Sequence, residues 1–170
     1  MTDKKLSQKN WSSWHHQLHN EILTKKILIT KGSNLLISVS GGQDSMALLT
    51  LIDDLKKIHN WSISVWHGDH QWHKKSSLYA LELKSYCEDK NISFCCDIAN
   101  KENVFTEEKA REWRYKKLCE RAKILLNKNQ QKHNIYLLTG HTSSDNAETF
   151  ILNLSRGSNF AGLRILRVKD

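Results

Sequence analysis

A chain of 170 residues, 39% hydrophobic and 26% charged, is long enough for one domain with a real core. No apolar run approaches the roughly 20 residues of a membrane span, and the polar start MTDKKLSQKNWSSWHH lacks the apolar stretch of a signal peptide. A membrane role is thereby excluded and a cytoplasmic protein expected, with a plastid left open for a chain that has lost a transit peptide, while the net charge of +8 favours a polyanionic partner.

The period of the apolar residues then changes repeatedly along the chain. Trp14, Leu18 and Ile22 recur every four residues, so 11–30 reads as an amphipathic helix. Residues 34–39 are a short apolar run, the mark of a buried strand, and Met46 to Ile58 reads as a helix. WSISVWH (61–67) predicts a second strand, Ser76 to Lys90 a helix, NISFCCDI (91–98) a third strand and 106–127 a long charged helix. NIYLLTG (134–140) predicts a fourth strand, followed by a helix from Asp145 to Leu154. Such alternation argues for right-handed crossovers, hence an α/β fold with a Rossmann-like parallel sheet and helices on both faces.

Ligands of open parallel sheets bind beyond the carboxyl ends of the strands. Ser40–Ser45, His67–Ser77, the stretch after Asp97, and Gly140–Glu148 should therefore converge. The four cysteines (Cys87, Cys95, Cys96 and Cys119) show no C-x-x-C spacing and read as buried reduced thiols.

The first of these segments, SGGQDS at 40–45, combines exposed backbone, two hydroxyls and a carboxylate. Gly41 and Gly42 can take positive φ and admit a ligand to the main chain. Ser40 and Ser45 offer hydroxyls, and a helix starting here adds free N–H groups and the positive end of its dipole. Gln43 lies within the same cradle, whose size suits phosphate. Asp44 would repel a bare phosphate, so its expected task is to hold Mg²⁺ that bridges to one. The lysine of a Walker A loop is absent. A plain Gly-Gly turn with an N-cap is the bland alternative.

SGGQDS in this position resembles the PP-loop ATP pyrophosphatases, which split ATP between the α and β phosphates. Four further segments are similar to the tRNA(Ile)-lysidine synthetases of that superfamily. HGDHQWHKKSS (67–77) looks like their H-x-D-H stretch through His67, Asp69 and His70, although Trp72, His73 and Lys74 replace the usual leucine and arginine. A zinc site in this segment is disfavoured by the absence of a helical i, i+4 pair.

AREWRY (110–115) resembles A-R-x-x-R-Y, with Arg111 and Arg114 on one helix face. Their forks suit phosphate or RNA, and pairing with Glu107 or Glu108 remains the alternative. GHTSSDNAET (140–149) is similar to G-H-x-x-x-D-x-x-E-T, and RGSNFAGL (156–163) to R-G-S-x-x-x-G-L. The resemblance covers roughly residues 34–163.

The resemblance implies a ligase joining L-lysine to carbon 2 of the first anticodon cytidine of an isoleucine tRNA with a CAU anticodon, through an ATP-adenylated intermediate. Asp44, Asp145, Glu148 and Arg111 would be catalytic, with Asp44 on Mg²⁺. The turn together with His67, Asp69, His70, Gly140 and His141 would bind ATP, and Arg114 and Arg156 would contact RNA. It further implies a single catalytic domain over 1–170, without the helical tRNA-gripping region that usually follows. A thiolating relative and a non-catalytic adenine-nucleotide module are the other readings. The oligomeric state is open, with a homodimer as one alternative.

Overall fold

The computed structural model describes residues 11–25, 29–128, 135–140 and 166–167. Helix α1 (Ser13–Lys25) precedes β1 (Asn34–Ser38), α2 (Gln43–His59), β2 (Ser62–Asp69), α3 (Ser76–Asp89) and β3 (Ser93–Ile98). A 3-10 turn (Lys101–Asn103), α4 (Glu107–Lys128), β4 (Ile135–Thr139) and a two-residue β5 (Leu166–Arg167) follow. Every described element expected from the apolar period is present. The helix expected over Asp145–Leu154 lies outside the described residues. Among the described residues no helix is long and apolar enough to cross a membrane.

The strands form one sheet in the order β3-β2-β1-β4-β5. The first four run parallel, with Leu36 opposite Ser64 on one side and Leu137 on the other. The expected four-stranded parallel sheet is thus present, and a further strand, β5, adds to its edge antiparallel to β4. Two residues are too few to show a period of two, so this strand left no sequence signal.

Alternation along the strands explains why helices cover both faces. Leu35, Ile37 and Val39 point toward α1, α2 and α3, where they meet Leu18, Leu48, Leu49, Ile52 and Leu83. Leu36, Trp66, Ile135 and Leu137 point the other way, onto Leu118 and Ala122 of α4. Both sides are dry, which is why the strands read as continuous apolar runs. Truncating a fully buried leucine such as Leu49 would cost about 2–5 kcal/mol.

Edge placement corrects the thiol expectation. Cys87 is buried, and desolvation pushes its pKa up to about 11. Cys95 and Cys96 lie on the edge strand β3 and, like Cys119 on α4, are only half-buried. All four are free.

Strand order also fixes where a ligand can enter. Chain order reverses between β1 and β4: β2 and β3 lie on one side of β1 and β4 on the other. Adjacent connections leave such a point in opposite directions and open a crevice at the carboxyl ends. The turn after β1 and Gly140 after β4 flank that crevice.

Helix α1 is held to the end of α2 by histidines. His19 Nδ1 lies 3.0 Å from His59 Nε2, and the buried His59 ring stacks on Trp61 at 4.3 Å. Burial, then His19 and Lys31, hold the His59 pKa down from 6.5 to about 4. The unfolded chain therefore binds more protons than the folded one between those values. The stabilising contribution is complete above about pH 6.5 and is lost as pH falls toward 4. Urea titrations across this range should show a smaller loss of stability in His59→Gln than in the parent; equal slopes would contradict the assignment.

Candidate active site

The turn after β1 is tied to the sheet before it opens. Val39 N–H donates to the Trp66 carbonyl (2.9 Å), and the Val39 carbonyl accepts from Nδ1 of buried His67 at 2.7 Å. Because a carbonyl can only accept, His67 carries its proton on Nδ1. The structure thus gives His67 the work of fixing the first residue of the turn.

The two glycines, both able to take positive φ, differ in whether they use it. Gly41 has φ +88, and a Cβ there would meet open space. Its backbone conformation alone calls for glycine. Gly42 is extended (φ −72, ψ 159), and a Cβ would sit 3.5 Å from Ser40 Oγ, an ordinary contact. Neither backbone nor packing requires glycine at 42, and bare main chain at that point suits close approach of a ligand.

The two serines differ as well. Ser45 is buried, its hydroxyl donating to the Gly42 carbonyl (2.9 Å) and accepting from Ser40 N–H (3.2 Å). That side chain braces the turn internally, whereas Ser40 is exposed. Gly42 caps α2 without any side-chain bond, so the first-turn N–H groups of Gln43, Asp44 and Ser45 stay open to an anion. Asp44 stands in that turn, half-exposed and without an ion pair or hydrogen bond among the described residues. A carboxylate beside free N–H groups fits a hard divalent cation that shares oxygens with a bound phosphate.

Gly140 closes the arrangement from β4. A Cβ there would lie 3.2 Å from Ser45 Cα and 3.4 Å from Ser45 N, both backbone atoms. A side chain here would force the β4 end and the α2 N-terminus apart by a few tenths of an ångström, so glycine suits this close approach. The Thr139 hydroxyl beside it is buried and has no hydrogen-bond partner among the described residues, a group the sequence had not flagged.

The remaining described candidates sit around β2 and α4. Asp69 is buried and accepts from Gln71 N–H at 2.7 Å, shaping a turn in which Gln71 takes φ +56. His70 packs against Trp72 (5.2 Å) and Trp113 (5.3 Å); burial and then Arg114 hold its pKa down. Arg114 donates to Glu107 at 2.9 Å, the pairing left open above, while exposed Arg111 lies over the Tyr115 ring.

What positions this helix was not evident in the sequence. Arg121 forms two bonds to Asp97 (2.9 and 2.6 Å), whose carboxylate also accepts from Trp66 Nε1 at 2.7 Å. Hydrogen bonds from Arg121 outweigh burial and hold the Asp97 carboxyl below its usual range. At Gly68 a Cβ would fall 2.7 Å from Trp66 and 2.8 Å from Trp113, so α4 packs on β2 where a side chain is missing. His141, Asp145, Glu148 and Arg156 lie outside the described residues.

A family model described as a PP-loop domain matches residues 13–169. The tRNA(Ile)-lysidine synthase of Prochlorococcus marinus subsp. pastoris is 69% identical over 99% of this chain and 50% of its own length. Its namesake in a second strain of Prochlorococcus marinus is 50% identical over 98% of this chain and 50% of its own. A protein of Pyropia yezoensis, tRNA(Ile)-lysidine synthase, chloroplastic, is 37% identical over 89% and 44%. The chain spans about half the length of the curated relatives it matches. Among solved structures, U34-tRNA thiolase NcsA from Methanococcus maripaludis, with its 4Fe-4S cluster, superposes with TM-score 0.54 at 16% identity, covering 85% of this chain and 49% of that one. That likeness is one of fold.

The two glycines should separate in experiment. Gly41→Ala forces a side chain into the left-handed region and should cost roughly 1–2 kcal/mol of stability. Gly42→Ala should leave the thermal midpoint unchanged yet weaken ATP binding measured by calorimetry. Equal effects of the two changes on both readouts would contradict the distinction.

Proposed function

Because this chain belongs to the PP-loop domain family, we propose that it is the ATP-dependent catalytic part of an enzyme that joins L-lysine to carbon 2 of the first anticodon cytidine of an isoleucine tRNA. The observation that carries this reading is 69% identity, across 99% of the chain, to a protein named tRNA(Ile)-lysidine synthase. The tRNA of the reading carries a CAU anticodon. Its compartment is the cytoplasm, or a plastid as for the Pyropia yezoensis relative.

The chemistry needs an amide-like oxygen turned into a leaving group. Adenylation of the cytidine O2 by ATP does this, releasing pyrophosphate, and the lysine amine then displaces AMP. In this reading the first-turn N–H groups, the Ser40 hydroxyl and bare Gly42 hold the phosphates, with donors fixed before charge develops. Asp44 would hold Mg²⁺, which when bound supplies positive charge against the departing pyrophosphate.

The attacking amine must be neutral, although free lysine has a pKa near ~10.4. Asp145 and Glu148 are assigned to receive the ammonium and take its proton. His141 is assigned to orient phosphate or cytidine, and Arg111, Arg114 and Arg156 to carry phosphate or RNA contacts. For Arg114 this requires exchanging Glu107 for the polyanion.

Sulfur transfer is the weaker reading. The cysteines lie on α3, β3 and α4, and burial raises the thiol pKa values of Cys87, Cys95 and Cys96, which disfavours the reactive thiolate.

Incorporation of labelled lysine into an isoleucine tRNA transcript, with ATP and Mg²⁺ present, tests the proposal. Asp44→Asn should lower the rate by about 100-fold or more with an unchanged thermal midpoint. Full Mg²⁺-dependent activity in that variant would remove Asp44 from the metal role. In Glu148→Gln the adenylated tRNA should accumulate and rising pH should partly restore ligation. If Glu148 were a metal ligand, adenylation itself would fail and pH would not help.

A further inference from the structure

Beyond the crevice, three large apolar side chains stand in solvent at neighbouring loop ends. Trp72 follows β2 and is 46% exposed, Ile98 ends β3 at 64%, and Phe105 follows the 3-10 turn at 73%. Single exposed hydrophobes are ordinary, but a contiguous group signals an interaction. Trp72 and Phe105 meet at Val104: the Trp72 indole N–H donates to the Val104 carbonyl at 2.9 Å, and Phe105 is the next residue.

Beneath them is a small separate core of Ala99, Val104 and Ala110 with Trp113 against it. Ala99 N–H is bonded to the Asp69 carbonyl at 2.8 Å, which locks the β2 and β3 loop ends together. The Trp72 ring is therefore pinned through its N–H and backed by His70, while much of its surface stays open. Such a ring has little entropy left to lose on binding.

Charge identifies the partner. Lys74, Lys75 and Lys101 lie in the same loops, and none of them has an ion pair among the described residues; Arg111 on α4, over the Tyr115 ring, has none there either. The opposing charges are Glu102, Glu107 and Glu108, and Glu107 is already taken by Arg114. Rings interleaved with unpaired cations match a strand with a charged backbone and unstacked bases.

We propose that Trp72 and Phe105, flanked by Lys74, Lys75 and Lys101, form a stacking platform for unpaired bases of RNA beside the crevice. The proposal rests on the tRNA reading above for which RNA is bound, and it assigns these aromatics to the bases neighbouring the modified one. The lysines hold the backbone.

Anisotropy of a labelled single-stranded oligouridylate, with an RNA duplex as control, tests the platform on the whole chain. Trp72→Ala combined with Phe105→Ala should weaken single-strand binding about tenfold or more, with the salt slope unchanged and the chain still folded by circular dichroism at the assay temperature. Trp72→Phe, which keeps a ring, should retain most of the affinity. Lys74→Ala with Lys75→Ala should instead reduce the salt slope by about 1.4.

Parent-like binding by the double aromatic variant, or no single-strand preference in the parent, overturns the platform. Loss of probe binding in that variant, from a parent that forms no lysidine, supports the platform and sinks only the catalytic reading. Lysidine formation at the parental KM for tRNA in the double variant sinks only the platform.

Discussion

The site depends on one close approach, that of Gly140 to the backbone of Ser45, where a Cβ would stand 3.2 Å from Ser45 Cα. It joins the two strand ends on either side of the point where chain order reverses. Ser45 is buried by this contact, and its buried hydroxyl in turn bends the turn onto itself through the Gly42 carbonyl. With the turn braced from within, the first N–H groups of α2 face outward in a fixed array. Preorganisation of this kind is what lets dipoles stabilise phosphate charge without rearranging.

The opposite face of the sheet serves a second purpose. Helix α4 is anchored by the Arg121–Asp97–Trp66 network and by Trp113 over Gly68. Arg121 and Asp97 are half-buried, where charge-assisted bonds are worth about 1.5–3 kcal/mol each, less a discount for solvent screening. They set where Arg111 and Arg114 stand relative to the strand ends. One face thus builds the glycine turn after β1, and the other carries α4 with Arg111 and Arg114.

Much of this was legible in residues. The apolar period disclosed the four parallel strands and α1 to α4, because strands buried on both faces and helices on one leave different repeats. Convergence of the strand ends followed from parallel topology and is seen, within the described residues, in the contacts of Val39 with His67, Asp69 with Ala99, and Gly140 with Ser45; the rest of the fourth segment, 141–148, lies outside them. What each residue does there was less legible. Residue type cannot reveal that Ser45 turns inward, that Asp69 caps its own turn, or that Gly42 keeps an ordinary φ. These outcomes depend on partners distant in sequence. The Asp97–Arg121 pair, 24 residues apart, and the two-residue β5 left no local pattern at all.

The account stands on ATP being opened between its α and β phosphates at this turn. Incubating the chain with α-labelled ATP, Mg²⁺, lysine and isoleucine tRNA, and separating the labelled products, tests that directly. The account predicts labelled AMP, formed only when tRNA is present and released in step with lysine joined to RNA. Labelled ADP as the product, or AMP formed at the same rate without tRNA, would contradict it.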